Sequence, residues 1–283
     1  MTAQQKVVRR SVKAAAAAAA KKETAGAASA TTQKSRVRAP RSRTAPAERL
    51  QLFYRSVPTP LGPFSIYVDS DGTIRCCRWQ HSASGDTAAL SREQRDVCAF
   101  LQSRWYKRVS VEMAQPSSES TIPGAKAATL LHQYFNLAPA GTGQQEALEA
   151  VLQQVPVAYP TATAFTTTTW DVLRQTVPSG KTISYKDLGV RVSQALSSAR
   201  ASSSTAAVPR TAPRAIGVAM GVNPIPVIVP CHRVLSSTNA LHGYGLGLRY
   251  KVWLLRHEQA NVPSEKLCVV EFENAVSTTA SRR

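Results

Sequence analysis

The stretch RAIGVAMGVNPIPVIVPCHRV, residues 214–234, decides how the rest of the chain is read. Pro213 precedes it, and a proline at the first position of a helix forfeits no hydrogen bond, so a short helix is predicted over 213–221. Asn223 and Pro224 end that helix and open an apolar run, NPIPVIVP, expected to be extended, which delivers the chain into Cys231, His232 and Arg233. A thiol attacks only as its thiolate, so a nucleophilic cysteine needs a neighbouring base, and an imidazole base works best when a carboxylate orients it. Cys231, His232 and Glu258 supply these three types, with Asn223 eight residues before the cysteine. Adjacency alone is weak support, because a Cys-His pair is more often a small buried residue beside a surface imidazole.

On the C-terminal side, residues 250–258 form a final helix with Val252, Leu254 and Leu255 facing the core. On the N-terminal side, residues 166–177 place Trp170, Leu173 and Val177 on one helical face and stop at Pro178, Ser179 and Gly180. The triplet Ile183, Ser184, Tyr185 reads as extended and is followed by a short helix over 186–192. Residues 193–209, SQALSSARASSSTAAVP, hold only Leu196 and Val208 as large apolar side chains and are expected to be an inserted flexible loop. Upstream, LQLFYRSV (50–57) and TPLGPFSIYVDSDGTIRCCRW (59–79) alternate apolar and polar residues around turn signals, which predicts two or three antiparallel strands. Ser91 is expected to cap a helix carrying Val97, Phe100, Leu101 and Trp105, and a second helix is predicted over 127–135.

The fold class is therefore α+β in two domains. A small antiparallel-sheet domain spans 52–155, a mainly helical domain spans 160–262, and residues 263–283 form an extension. The 283 residues suffice for one large or two small cores. Five cysteines, an odd number at irregular spacing, suit reduced thiols in an intracellular compartment better than a disulfide framework. No apolar run approaches the length needed to span a bilayer, so no membrane is expected. Thirty-five Lys and Arg against 17 Asp and Glu give a net charge of +18, which implies a polyanionic partner. More than half of that excess falls in residues 1–50, which lack aromatics and are expected to be a disordered basic tail. Its clusters Lys6, Arg9, Arg10, Lys13 and Lys34, Arg36, Arg38, Arg41, Arg43 suit phosphates or a nuclear address. A mitochondrial presequence is the rival, since the segment is rich in Arg and Ser and its first acid is Glu23.

The string 214–234, together with GYGLGLRYKVWLLRHE (243–258), closely resembles the O6-alkylguanine-DNA alkyltransferase family, also called methylated-DNA-protein-cysteine methyltransferases. The likeness extends back through FTTTTWDVLRQTVPSGKT and, more faintly, through TPLGPFSIYVDSDG and LLHQYF, over most of residues 55–260. It implies a helix-turn-helix, winged-helix-like second domain and a DNA repair methyltransferase. Such a protein flips O6-alkylguanine out of double-stranded DNA and takes the alkyl group irreversibly onto Cys231. His232 would be the base acting through a water, Glu258 its orienting carboxylate, and Asn223 the tie between recognition helix and active-site turn. Tyr185 would contact the extruded base and adjacent phosphate. Arg214 would fill the vacated space, with Ala215 and Gly217 keeping the DNA-facing surface small. Met220, Pro226 and Tyr244 would line the pocket, with the carbonyls of Cys231 and Val234 and the amide of Gly245 reading the base.

Two departures stand out. Residues 193–209 lengthen the connection from Tyr185 to Arg214, and Leu246 stands where relatives often have glycine. Cys76, Cys77, Cys98, His81 and His132 show no recognisable ligand spacing, so neither metal nor other cofactor is expected, and these thiols read as core or incidental. A monomer in solution is expected. The rival function is a non-catalytic helix-turn-helix DNA-binding or lesion-recognition protein, against which the presence of Cys231 argues.

Overall fold

The computed structural model describes residues 48–80, 86–114, 122–137, 143–200, 211–241 and 243–267. The predicted basic tail, apart from its last three residues, and the extension beyond 267 lie outside them. Strands β1 (Arg49–Val57), β2 (Phe64–Val68) and β3 (Ile74–Trp79) pair antiparallel in succession. The β2–β3 turn is tied by Asp69, whose carboxylate accepts from the amides of Asp71 and Thr73, both at 3.0 Å.

The sheet is not purely antiparallel, as the sequence reading expected. A fourth strand, β4 (Ser110–Met113), pairs parallel with β1, giving the mixed order β3-β2-β1-β4. The cause is the intervening helix α1 (Thr87–Arg104), about 27 Å long at 1.5 Å per residue. A crossover of that length returns the chain to the end at which β1 began, which is what a parallel neighbour requires. Helix α1 also starts earlier than predicted. Asp86, not Ser91, is its cap, accepting from the Ala89 amide at 2.8 Å, while the Ser91 hydroxyl donates back to the Thr87 carbonyl. An aspartate followed by Thr-Ala-Ala-Leu offers nothing to delay the helix.

Helices α2 (Ala125–Asn136) and α3 (Gln144–Gln154) follow. The second was not anticipated, although Leu148, Val151 and Leu152 are buried at helical spacing. Then come α4 (Ala164–Thr176), β5 (Ile183–Ser184), α5 (Tyr185–Arg200), α6 (Pro213–Gly221), β6 (Val234–Leu235) and α7 (Leu248–His257). Strands β5 and β6 pair in parallel. The predicted loop over 193–209 is corrected in its first half, where residues 193–200 continue α5. Ala195 and Leu196 pack on the core, and the Ser193 hydroxyl is buried against the Gly189 carbonyl and Thr211, so a Ser/Ala composition does not prevent the helix. Residues 201–210 lie outside the described residues. Gly189 lets α5 approach the segment before α6, since a Cβ there would stand 2.9 Å from the Thr211 carbonyl oxygen.

The two predicted units share one core. Phe64, Ile66 and Trp79 of the sheet belong to the same buried cluster as Trp170, Ile216, Val229 and Leu254. Edge strand β3 is covered rather than left open. Ile74 exchanges hydrogen bonds with Pro156 and Ala158, and the Cys77 amide donates to the Pro224 carbonyl at 2.9 Å. The sheet edge therefore braces the turn that leads to Cys231. No helix among the described residues is long and apolar enough to cross a membrane.

Candidate active site

Residues 223–230 are not the extended run expected from their apolar composition but a buried turn. The Val229 amide donates to the Ile225 carbonyl at 2.9 Å, and Pro226 bridges Val229. Val227 sits inside it at φ 75°, a left-handed conformation that a β-branched residue adopts only under constraint. Prolines on either side and Asn223 supply that constraint. The Asn223 side chain accepts from the Ile225 amide at 3.0 Å and donates to the Val229 carbonyl at 2.9 Å and to Cys231 Sγ at 3.2 Å. One amide thus joins the end of α6 to both ends of the turn and to the sulfur.

Cys231 opens a single 3-10 turn, Cys231–Arg233, and is 9 % exposed at the floor of a cavity of about 200 Å³. That is smaller than a drug-sized pocket and suits one flat ring system. Of the predicted pocket residues, Met220, Pro226, Tyr244 and Gly245 line it, with Asn223 and Leu246. Val234 does not: it is fully buried, and its carbonyl already accepts from Lys251 Nζ at 2.9 Å. Cys76 and Cys77, expected to be core or incidental thiols, are buried in the core and also form part of the cavity wall, together with Arg78 and Phe100. Burial pushes the Cys231 thiol above its ordinary value, while the Asn223 amide, the Lys251 ammonium and the nearby Tyr244 hydroxyl pull it back. The Tyr244 hydroxyl makes no hydrogen bond of normal geometry. Lys251 is itself pushed down to about 8 by burial, opposed by the charge of Cys231.

Behind the cysteine lies a closed ionic network. His232 and Glu258 are fully buried, and His232 Nε2 meets Glu258 Oε1 at 3.1 Å. A carboxylate only accepts, so Nε2 carries the proton and Nδ1 keeps a bare lone pair, buried without a partner. Burial lowers the imidazole's pKa, outweighing the pull of Glu258, so His232 is neutral near pH 7. Burial would raise the Glu258 carboxyl, but Arg233 and then His232 hold it well below the usual carboxylate range. Arg233 uses all five of its N–H donors. Two go to Glu258 at 2.9 and 2.8 Å, one each to Glu149 at 3.0 Å and the Ser179 hydroxyl at 2.8 Å, and one to the Val177 carbonyl at 2.6 Å. Tyr134 of α2 adds a hydrogen bond to Glu258 at 2.7 Å.

Sequence reasoning quoted Arg233 and Lys251 within the stretches that carry the resemblance without giving either a role, and it missed Glu149, Ser179 and Tyr134 as site residues. Arg233 had a legible signal of its own, as a charge inside an otherwise apolar turn. The others approach from distant segments. Tyr185, at the start of α5, stands apart from the cavity lining. Its ring lies 4.0 Å from where a Gly217 side chain would begin, and its pKa is raised by burial and then by Cys231. Arg214 is exposed and Ala215 partly exposed at the start of α6, and Val218 on the same helix is 59 % exposed. Among the described residues, no group of three or more His, Cys, Asp or Glu is placed to hold a metal, and His81 lies outside them.

The family model for the 6-O-methylguanine DNA methyltransferase DNA-binding domain matches residues 164–260. The Salmonella typhimurium methylated-DNA-protein-cysteine methyltransferase is 30 % identical over 211 residues, covering 74 % of this chain and 96 % of that protein. The human protein of the same name is 39 % identical over 89 residues, 31 % of this chain and 35 % of its own. The crystal structure of Mycobacterium tuberculosis O6-methylguanine methyltransferase matches with a TM-score of 0.46 at 24 % identity, covering 75 % of this chain and 95 % of that one. Fold and site define a protein with a cavity-lining cysteine tied to Asn223 beyond the end of α6 and followed directly by a buried His-Glu-Arg network. The chain belongs to the methylated-DNA-protein-cysteine methyltransferase family.

Proposed function

We propose that this protein repairs DNA by transferring an alkyl group from the O6 atom of guanine in double-stranded DNA to Cys231 Sγ. The observation that carries the reading is the sulfur at the floor of a base-sized cavity, held by Asn223 and followed directly by the buried His232-Glu258 pair. The thiol proton passes through a water to His232 Nδ1, whose lone pair is otherwise unused. The thiolate then attacks the alkyl carbon, the carbon–O6 bond breaks, and the departing guanine takes up the proton that the His232 imidazolium gives back. Glu258 stabilises the imidazolium that forms in between. The product is a thioether, which no residue at the site can reverse, so each molecule acts once.

A stacked base cannot reach Cys231, so the nucleotide turns out of the duplex, at a cost of a few kcal/mol of unstacking. Helix α6 serves as the groove-facing element, with exposed Arg214 available for the vacated space and Ala215 and Gly217 keeping the surface low. Tyr185, across from Gly217, contacts the nucleotide. The reacting residues on this reading lie in the unit 160–262, while 52–155 braces the active-site turn and supplies part of the cavity wall and of the ionic network. The protein acts as a monomer, and the basic tail directs it to the nucleus. Fusing residues 1–50 to a fluorescent protein tests the address, and mitochondrial fluorescence overturns it. The central experiment is incubation with duplex DNA bearing labelled O6-methylguanine, followed by the protein's mass. One methyl on Cys231, abolished in Cys231→Ala, is expected. Tight DNA binding with no mass gain would favour the non-catalytic alternative.

A further inference from the structure

Arg78 stands out among the arginines of the described residues with buried side-chain nitrogens. Arg55 donates to the carbonyls of Ile122 and Pro123, Arg75 pairs with Asp69 at 2.7 Å, Arg174 donates to the carbonyls of Leu152 and Val155, and Arg233 is saturated. The Nε of Arg78, like that of Arg174, is shut off from solvent without an acceptor, but among the described residues the rest of the Arg78 guanidinium also has neither hydrogen bond nor ion pair. The terminal nitrogens of that guanidinium are also unpartnered but are not shut off, so a charged group held without any acceptor presents them to one that arrives from outside. The surroundings say which kind. Arg78 lies on β3 and lines the same cavity as Cys231, and no Asp or Glu lines that cavity to balance its charge. Arg78 as a residue is only partly buried, whereas Cys231, on the same cavity, is 9 % exposed.

We infer that Arg78 grips a backbone phosphate flanking the nucleotide whose base occupies the Cys231 cavity. A nucleotide that puts its base on the floor leaves its anionic group at the rim, and the guanidinium fork matches phosphate oxygens in charge and geometry. The sheet unit thereby contributes directly to DNA binding in addition to bracing the active-site turn. This rests on the cavity being the nucleobase pocket proposed above.

The test is a double-mutant cycle on the full chain. One arm is Arg78→Ala. The other is duplex DNA in which each phosphate beside O6-methylguanine is replaced in turn by an uncharged methylphosphonate. Loss of one charge-assisted hydrogen bond predicts a transfer rate at low DNA concentration about tenfold lower for Arg78→Ala. It also predicts a slope of log affinity against log salt shallower by about 0.9. One of the two methylphosphonates should produce the same loss in the unaltered protein and no further loss in Arg78→Ala. Arg78→Lys should restore the salt slope but only part of the rate, since a point charge cannot reproduce the fork. Additive losses, or an unchanged rate and slope with unchanged thermal melts, overturn the contact. An equal loss with free O6-benzylguanine base, which has no phosphate, overturns it in favour of a contact to the base. Failure of the underlying function looks different: the unaltered protein itself would gain no mass from methylated duplex.

Discussion

Replacing Glu258 by glutamine keeps the shape of the side chain and removes its charge, which isolates what the buried carboxylate does. Glu258 accepts from Tyr134, His232 and twice from Arg233, all out of contact with solvent. In the variant an NH2 group must face at least one of those donors, and among the described residues the Arg233 charge keeps only Glu149, at 3.0 Å, as a counter-ion. Removing one partner of a buried pair costs about 3–5 kcal/mol, and the surviving Glu149 contact puts the expectation near the lower end. At about 2–4 °C per kcal/mol for a domain of this size, Glu258→Gln should melt about 6–12 °C lower at neutral pH. The pH dependence carries the sharper signature. Glu258's folded pKa lies well below its ordinary value of 4.5, so its contribution is complete above that value and is lost as pH falls through the folded pKa. The gap between the two proteins should therefore narrow by about 1.4 kcal/mol per pH unit below about pH 4.5. Equilibrium melts followed by circular dichroism from neutral to acid pH measure both effects. A gap under about 2 °C, or one that stays constant into the acid range, refutes the network's role.

Asn223→Ala should slow methyl transfer and lower stability by about 1–3 kcal/mol, because the Val229 carbonyl and the Cys231 sulfur lose their shared donor. A single-turnover assay beside a urea titration reads both, and an unchanged rate contradicts its place at the sulfur. Because burial raises the Cys231 thiol, a small alkylating reagent should modify it more slowly at pH 7 than a free thiol and faster as the solution becomes alkaline. Lys251→Met, which removes a nearby positive charge, should shift that rise to higher pH, and a shift to lower pH argues against the electrostatic picture. Hydrogen exchange should find the backbone amides of residues 195–200 protected as part of α5, and exchange at unstructured rates would restore the loop expected from composition.

Much of the second unit was legible along the chain because its signals are local. Pro213 marks the start of α6, Trp170, Leu173 and Val177 are buried along and just beyond α4, and Asn223 stands before a proline. The α5 extension was hidden because serine and alanine advertise no apolar face. Leu196 and the Ser193-Thr211 hydrogen bond hold residues 193–200 in the helix through contacts with distant residues. Helix α3 was readable, with Leu148, Val151 and Leu152 at the right spacing, and was overlooked beside the loop signals before it. The parallel strand β4 was not readable, since four residues carry too little pattern to reveal a partner.

Sequence by itself determined that Cys231, His232 and Arg233 lie side by side and in what order the candidate site's residues arrive, because covalent adjacency places these three within one turn whatever the rest of the chain does. Tertiary structure alone decided their state. Whether a thiol is pushed up, an imidazole kept neutral or a carboxylate kept charged depends on desolvation and on charges brought from elsewhere. Here Glu149, Tyr134, Ser179, Lys251 and the wall of β3 come from segments as many as 155 residues from Cys231. Electrostatic energy falls with distance through space, and distance along the chain does not enter it.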